Sequence, residues 1–191
     1  MKTVHLILIL SALANWPALA RTTSLSLPWL EPMMSEDFRD FDVSSLNQME
    51  GLFDCGIEEG KEYCSEPTRY YTTLVDSYVW VENEQVTKVE LHAPFSPANY
   101  SELQLSLRKD DYVLSKVTIG DTTIDVKQEL QSKPVYKVDR EVMKFMNKGS
   151  ITKPRKLILV PKSQFERPES DRYAEFISSD KEIIIRFYQL M

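Results

Sequence analysis

The sequence predicts an α+β domain: an antiparallel sheet built from about three hairpins, two or three short helices and one disulfide. Three observations carry this. Segments rich in β-branched and aromatic residues come in pairs joined by short polar turns. Apolar residues at spacings of three and four mark helices between those pairs. Two cysteines, Cys55 and Cys64, stand close together in the chain. Hairpins pair neighbouring strands antiparallel, which argues against a doubly wound parallel sheet.

Residues 1–20 read as a cleaved signal peptide. Lys2 supplies the positive start, Val4–Leu13 the apolar run, and Pro17 followed by Ala18-Leu19-Ala20 the small-residue cleavage site. A membrane anchor takes about 20 apolar residues, and this run is shorter. The later apolar runs, Leu157–Val160 and Ile183–Ile185, are strand-sized, so no membrane span is expected. Cleavage removes Lys2 and moves the net charge from −6 to −7. So acidic a chain is no general nucleic-acid binder. The expected location is periplasmic or secreted, the lean signal peptide favouring a Gram-negative periplasm.

The elements follow in order. Residues 21–43 form an N-terminal arm or lead-in, where Pro28 and Pro32 oppose regular structure. Its aromatics Trp29, Phe38 and Phe41 pack onto the domain or onto a partner. Residues 44–191 make the single α+β domain. A short helix is expected over 44–54, capped by Ser44 or Asp42, with Leu46, Met49 and Phe53 on one face. The clearest β signal is 69–92, a hairpin turning at Glu82–Gln85. Residues 97–109 favour a helix because Ser96-Pro97 suits a helix start and Tyr100, Leu103 and Leu107 form a stripe. The competing strand rests on the alternation of Leu103, Leu105 and Leu107. Tyr112–Ile119 and Thr122–Val126 flank Gly120-Asp121 as a second hairpin. Asp139 is a candidate cap for a helix carrying Val142, Phe145 and Met146. Leu157–Val160 is a short strand between prolines, and Tyr173–Ile177 with Glu182–Leu190 makes the third hairpin.

In an oxidising compartment Cys55 and Cys64 should bridge. A metal site would need more ligands than a mature chain with one histidine, His92, provides. No metal and no cofactor is expected, nor any catalytic residue. Nucleophile-elbow, zinc-helix and phosphate-loop motifs are absent. His92 reads as a structural or surface histidine. The paired acids Glu58-Glu59 and Asp110-Asp111 read as solvated turn residues. Asn99-Tyr100-Ser101 matches the N-glycosylation pattern.

Charge is segregated. Residues 31–66 carry eleven acids and two bases, and residues 144–162 carry six bases and no acid. The simpler account is that the two regions face each other or are solvated. The functional account is a bipolar surface whose acidic pole attracts a cationic protein or other envelope component. Glu58, Glu59 and Glu62 are then the partner-binding acids, and Trp29, Phe38 and Phe41 the apolar anchors. The expected function is an exported, non-enzymatic binding or accessory protein, such as an inhibitor or assembly factor. The alternative is a hydrolase whose carboxylates meet only in the fold.

Overall fold

The computed structural model describes residues 27–34 and 41–189. The signal peptide at 1–20 and Phe38 lie outside the described residues. All the described strand pairs are antiparallel, and they join ten strands into one sheet. The strands are β1 Leu52–Asp54, β2 Glu62–Ser65, β3 Thr68–Tyr70, β4 Thr73–Glu82, β5 Gln85–Pro94, β6 Tyr112–Ile119, β7 Thr122–Asp125, β8 Arg155–Pro161, β9 Arg172–Ser178 and β10 Glu182–Gln189. The helices are α1 Glu31–Met34, α2 Val43–Leu46, α3 Pro97–Lys109, α4 Val126–Leu130 and α5 Val135–Met146. The sheet order is β1-β2-β4-β5-β10-β9-β8-β6-β7, with β3 paired to β4 off that path.

The α+β class holds, but three hairpins understate the sheet. The expected hairpins are present as β4–β5, β6–β7 and β9–β10. They are fused because β10 also pairs with β5, and β8 bridges β6 to β9. The β4–β5 turn places Asn83 and Glu84 at positive φ, +49° and +65°. That is the two-residue turn whose twist matches a hairpin.

One sheet face carries the core. Val75, Val79, Val89, Leu91, Ile183, Ile185, Phe187, Ala174 and Phe176 are buried there. Helix α3 lies on it, touching β4 and β6, with the Tyr100 ring edge-on to Phe176. Residues 97–109 are helical for a readable reason. Ser96 accepts the Asn99 amide at 3.0 Å, Tyr100, Leu103 and Leu107 are buried, and Leu105 is exposed. A strand would have put Leu105 beside Leu103 and Leu107 on one face.

Three expectations are corrected. The helix over 44–54 is only α2. Asp42 caps it through the Ser45 amide, and the chain turns at Gly51 (φ +88°) into strand β1. Phe53 therefore points outward from a strand and is 49% exposed. Asp139 does not start α5, which begins at Val135 behind Pro134, so that Val138 and Val142 can be buried one turn apart. Val126 opens α4 rather than ending β7, because Asp125 caps that helix through the Gln128 amide at 3.1 Å.

The described part of the lead-in is core. Leu27, Trp29, Leu30 and Met33 are buried in the same cluster as the sheet residues. Phe41 is buried too, and its carbonyl accepts the Val86 amide at 2.9 Å. Of the two roles open to Trp29 and Phe41, packing onto the domain is the one the structure shows. At 4% and 3% exposure they cannot also be surface anchors.

Candidate functional site

The loop between β1 and β2 is a closed hairpin tip. Cys55 and Cys64 are disulfide-bonded, with their Cα atoms 5.8 Å apart. Cys55, Cys64 and Glu62 cluster closely enough for a metal, but the disulfide removes both thiolates as ligands. Asp54 organises the tip from inside: its carboxylate accepts the Gly56 amide at 3.1 Å and the Gly60 amide at 2.6 Å. Held this way, the loop presents Ile57 fully to solvent, flanked by exposed Glu58 and Glu59, while Glu62 is half-buried on β2. Replacing both cysteines with serine should cost about 2.5 kcal/mol, because the staple restricts the unfolded chain. Urea unfolding of the double variant beside the intact protein measures this.

A cavity of about 360 Å³ opens between this hairpin and α2. Its lining is mixed: Val43, Leu46, Leu52 and Phe53 are apolar, Asn47 is polar, and the ionisable groups are Asp54, Glu59 and Tyr63. No basic residue lines it. Tyr63 donates its hydroxyl to Asn47 at 3.1 Å. Burial first, and then the charges of Asp54 and Glu59, push the Tyr63 phenol above its usual range. The negative field of the acids therefore reaches into the cavity. A cation with an apolar stem, such as a lysine or arginine side chain, matches such a lining.

Among the described residues no basic side chain lies within ion-pair distance of Glu58, Glu59 or Glu62. Four strands, β4, β5, β10 and β9, separate β2 from β8 in the sheet, so the acidic and basic segments are not neighbours within it. The basic segment is partly spent on structure. Arg155 is 5% exposed and donates to the Met146 and Ser150 carbonyls, closing the C-terminus of α5. Lys156 pairs with Glu175.

The sheet face opposite the core holds a second group of charges. The register aligns Glu62, Trp80, Lys88, Tyr188 and Tyr173 in one cross-strand row. Cys64, Tyr78, Glu90, Arg186 and Glu175 form another. Glu90 is the hub. Its carboxylate lies 2.8 Å from Lys88 Nζ, 2.8 Å from His92 Nε2 and 3.0 Å from Arg186 Nε. Burial by itself would raise this carboxyl. Hydrogen bonds from His92 and Lys88, with the charges of Lys88 and Arg186, outweigh it and hold the pKa at about 2. Lys88 also sits 3.7 Å above the Trp80 ring. His92 is thus a partner of Glu90 within a strand ladder.

Asp110 is the other displaced carboxyl. At the end of α3 it accepts the hydroxyls of both Tyr70 and Tyr71. Burial raises its pKa, and the two phenol hydrogen bonds only partly offset that. Neither Glu90 nor Asp110 lines the acidic cavity. Asn99, the possible glycosylation position, spends its amide on the Pro94 carbonyl at 2.9 Å within the first turn of α3.

Sequence reasoning found the acids of the stapled loop but missed Phe53 and Ile57 as its exposed apolar residues. The available signal was Ile57 itself, an aliphatic residue inside a short loop closed by cysteines. Among the described residues no helix is long and apolar enough to cross a membrane. Comparison of the chain with protein-family models, with curated proteins and with solved structures found no match in any of the three.

Proposed function

We propose that this chain is an exported, non-enzymatic binding protein whose stapled acidic hairpin docks a basic protein partner. The observation that carries the reading is the hairpin with its cavity: a fully exposed Ile57 between a disulfide and two exposed acids, above a pocket whose charged lining is acidic throughout. A disulfide suits an oxidising compartment, in keeping with a signal peptide at 1–20 and a periplasmic or secreted location. Phe53 and Ile57 replace Trp29 and Phe41 as the apolar anchors. The acids steer the encounter, and the apolar contacts hold the complex.

The hydrolase alternative gains no support from the two displaced carboxyls. Glu90 is held ionised on the outer sheet face by the charges of Lys88 and Arg186 and by hydrogen bonds from Lys88 and His92, and Asp110 is clasped by two tyrosines at the end of α3. They form no pair across a cleft.

The test is affinity capture from envelope and secreted fractions, followed by association kinetics of the captured partner. The triple variant Glu58→Gln, Glu59→Gln, Glu62→Gln should slow association about tenfold and flatten its salt dependence. Asp54 is left intact because it holds the loop. Ile57→Ala should instead speed dissociation. A partner that binds the triple variant at an unchanged rate, with no salt dependence, refutes the acidic docking site.

A further inference from the structure

The outer face of β6, β8 and β9 is unusual for a sheet with one covered side. In an antiparallel sheet the face away from the core is normally polar. Here Ile158 and Val160 of β8 point to that side, and Val160 is only 4% exposed. They are sheltered because two elements rise over them. On one side stands α4. On the other is the loop from Lys162 to Asp171, pinned by buried Gln164, which accepts the Ser170 hydroxyl at 2.7 Å. Lys127 of α4 ties the two walls together, donating to the Arg167 carbonyl at 3.2 Å and lying 5.5 Å from the Phe165 ring centroid. Between the walls is a cavity of about 840 Å³, floored by Ile158, Val160 and Tyr173. Such a volume is in the range of small-molecule sites.

Charge at the mouth decides what fits. Lys116 is paired with Asp125 at 3.1 Å, and Asp125 also caps α4. Arg167 lies 3.6 Å from Asp171. Lys127 differs: its partners are a carbonyl and an aromatic ring, and among the described residues no carboxylate lies within ion-pair distance of it. Glu166 also lines the groove, without an ion-pair partner among the described residues, so the groove is not uniformly basic. Lys127 is an ammonium with no paired carboxylate beside an apolar floor. We propose that this groove binds an amphipathic carboxylate, a small molecule with an apolar body and one anionic end. The body covers Ile158, Val160 and Phe165, and the carboxylate supplies the counter-charge that Lys127 lacks. A neutral analogue buries the same area without that pairing. A cationic analogue adds repulsion. The groove is formed by other strands than the stapled hairpin, and the two proposals stand or fall separately.

Displacement of anilinonaphthalene sulfonate from the intact protein is the assay, with dodecanoate, dodecanol and dodecyltrimethylammonium as competitors. Dodecanoate should compete best. Lys127→Met should weaken dodecanoate about tenfold, Lys127→Arg should restore it, and the loss should shrink at high salt. Ile158→Trp, which fills the floor, should abolish binding of both dodecanoate and dodecanol. Circular dichroism and urea unfolding establish that each variant is folded. Should Lys127→Met be unstable, the competitor ranking on the unaltered protein decides. Equal competition by the carboxylate and the quaternary ammonium overturns the proposal, as does unchanged dodecanoate binding in a folded Lys127→Met or Ile158→Trp variant.

Discussion

Glu90→Ala is expected to destabilise the fold by about 3–5 kcal/mol, the cost of removing one partner from a buried charge cluster. The Glu90 side chain is 6% exposed, and its loss leaves Lys88, His92 and Arg186 converging on an empty centre. Those three residues sit on β5 and β10, the pair that joins the first hairpin to the last. The damage should therefore reach the whole sheet rather than a loop. Glu90→Gln keeps the shape and an acceptor oxygen, and should cost about half as much. The pH dependence has a definite sign. The folded-state pKa, about 2, lies below the ordinary value of 4.5. The stabilisation is therefore fully present above about pH 4.5 and is lost as pH falls toward 2. Urea unfolding of the intact protein and Glu90→Gln across that window should show the gap closing on acidification. A gap independent of pH would show that the network is held by shape and not by charge.

Asp110→Ala should cost about 2–4 kcal/mol, because it leaves two phenol hydroxyls without their acceptor. Tyr70 is wholly buried, edge-on to Phe187 and Tyr71. Its hydroxyl has no access to water as a substitute. The same carboxylate fastens the end of α3 to the β3–β4 turn; Tyr71 in that turn and Asp111 between α3 and β6 both adopt positive φ, +55° and +59°. Losing the clasp should release both strained residues. Asp110→Asn keeps an acceptor and removes the charge, and should stay within about 1 kcal/mol of the parent. Here the sign is opposite to that of Glu90. Burial raises the Asp110 pKa above its ordinary 3.8, so the folded state binds the proton more tightly than the unfolded chain does. Its stabilisation is present at low pH and is lost as pH rises through the raised value. Relative to Asp110→Asn, the parent should gain stability as pH drops from 7 toward 4. Parallel thermal or urea melts of the two proteins measure that difference, and a loss on acidification would contradict the assignment.

Local chemistry in the sequence determined the class, several elements and half of the candidate site. Ser96-Pro97, with Tyr100, Leu103 and Leu107 behind it, specifies α3, because cap and stripe agree within one stretch of chain. The β4–β5 and β9–β10 hairpins are legible for the same reason: alternation and turn residues lie side by side. Two cysteines nine positions apart announce the staple, and the surrounding acids announce its charge. Tertiary structure decided what depends on distant partners. That β10 would lie between β5 and β9 follows from burial of Ile183, Ile185 and Phe187 against both flanks, which no local window contains. Trp29 and Phe41 look like free aromatics in a proline-bearing lead-in, and become core only because the inner sheet face needs covering there. Phe53 takes the opposite course. Gly51 turns the chain out of α2 and into an edge strand, leaving that ring at the surface beside the acids. The groove under Lys127 is a product of packing alone, since its floor, its cation and its far wall come from β8, α4 and a loop that no single stretch of chain contains. Hydrophobic pattern sets which face of an element is buried; only the assembled sheet sets what that face meets, and hence which side chains are left for binding.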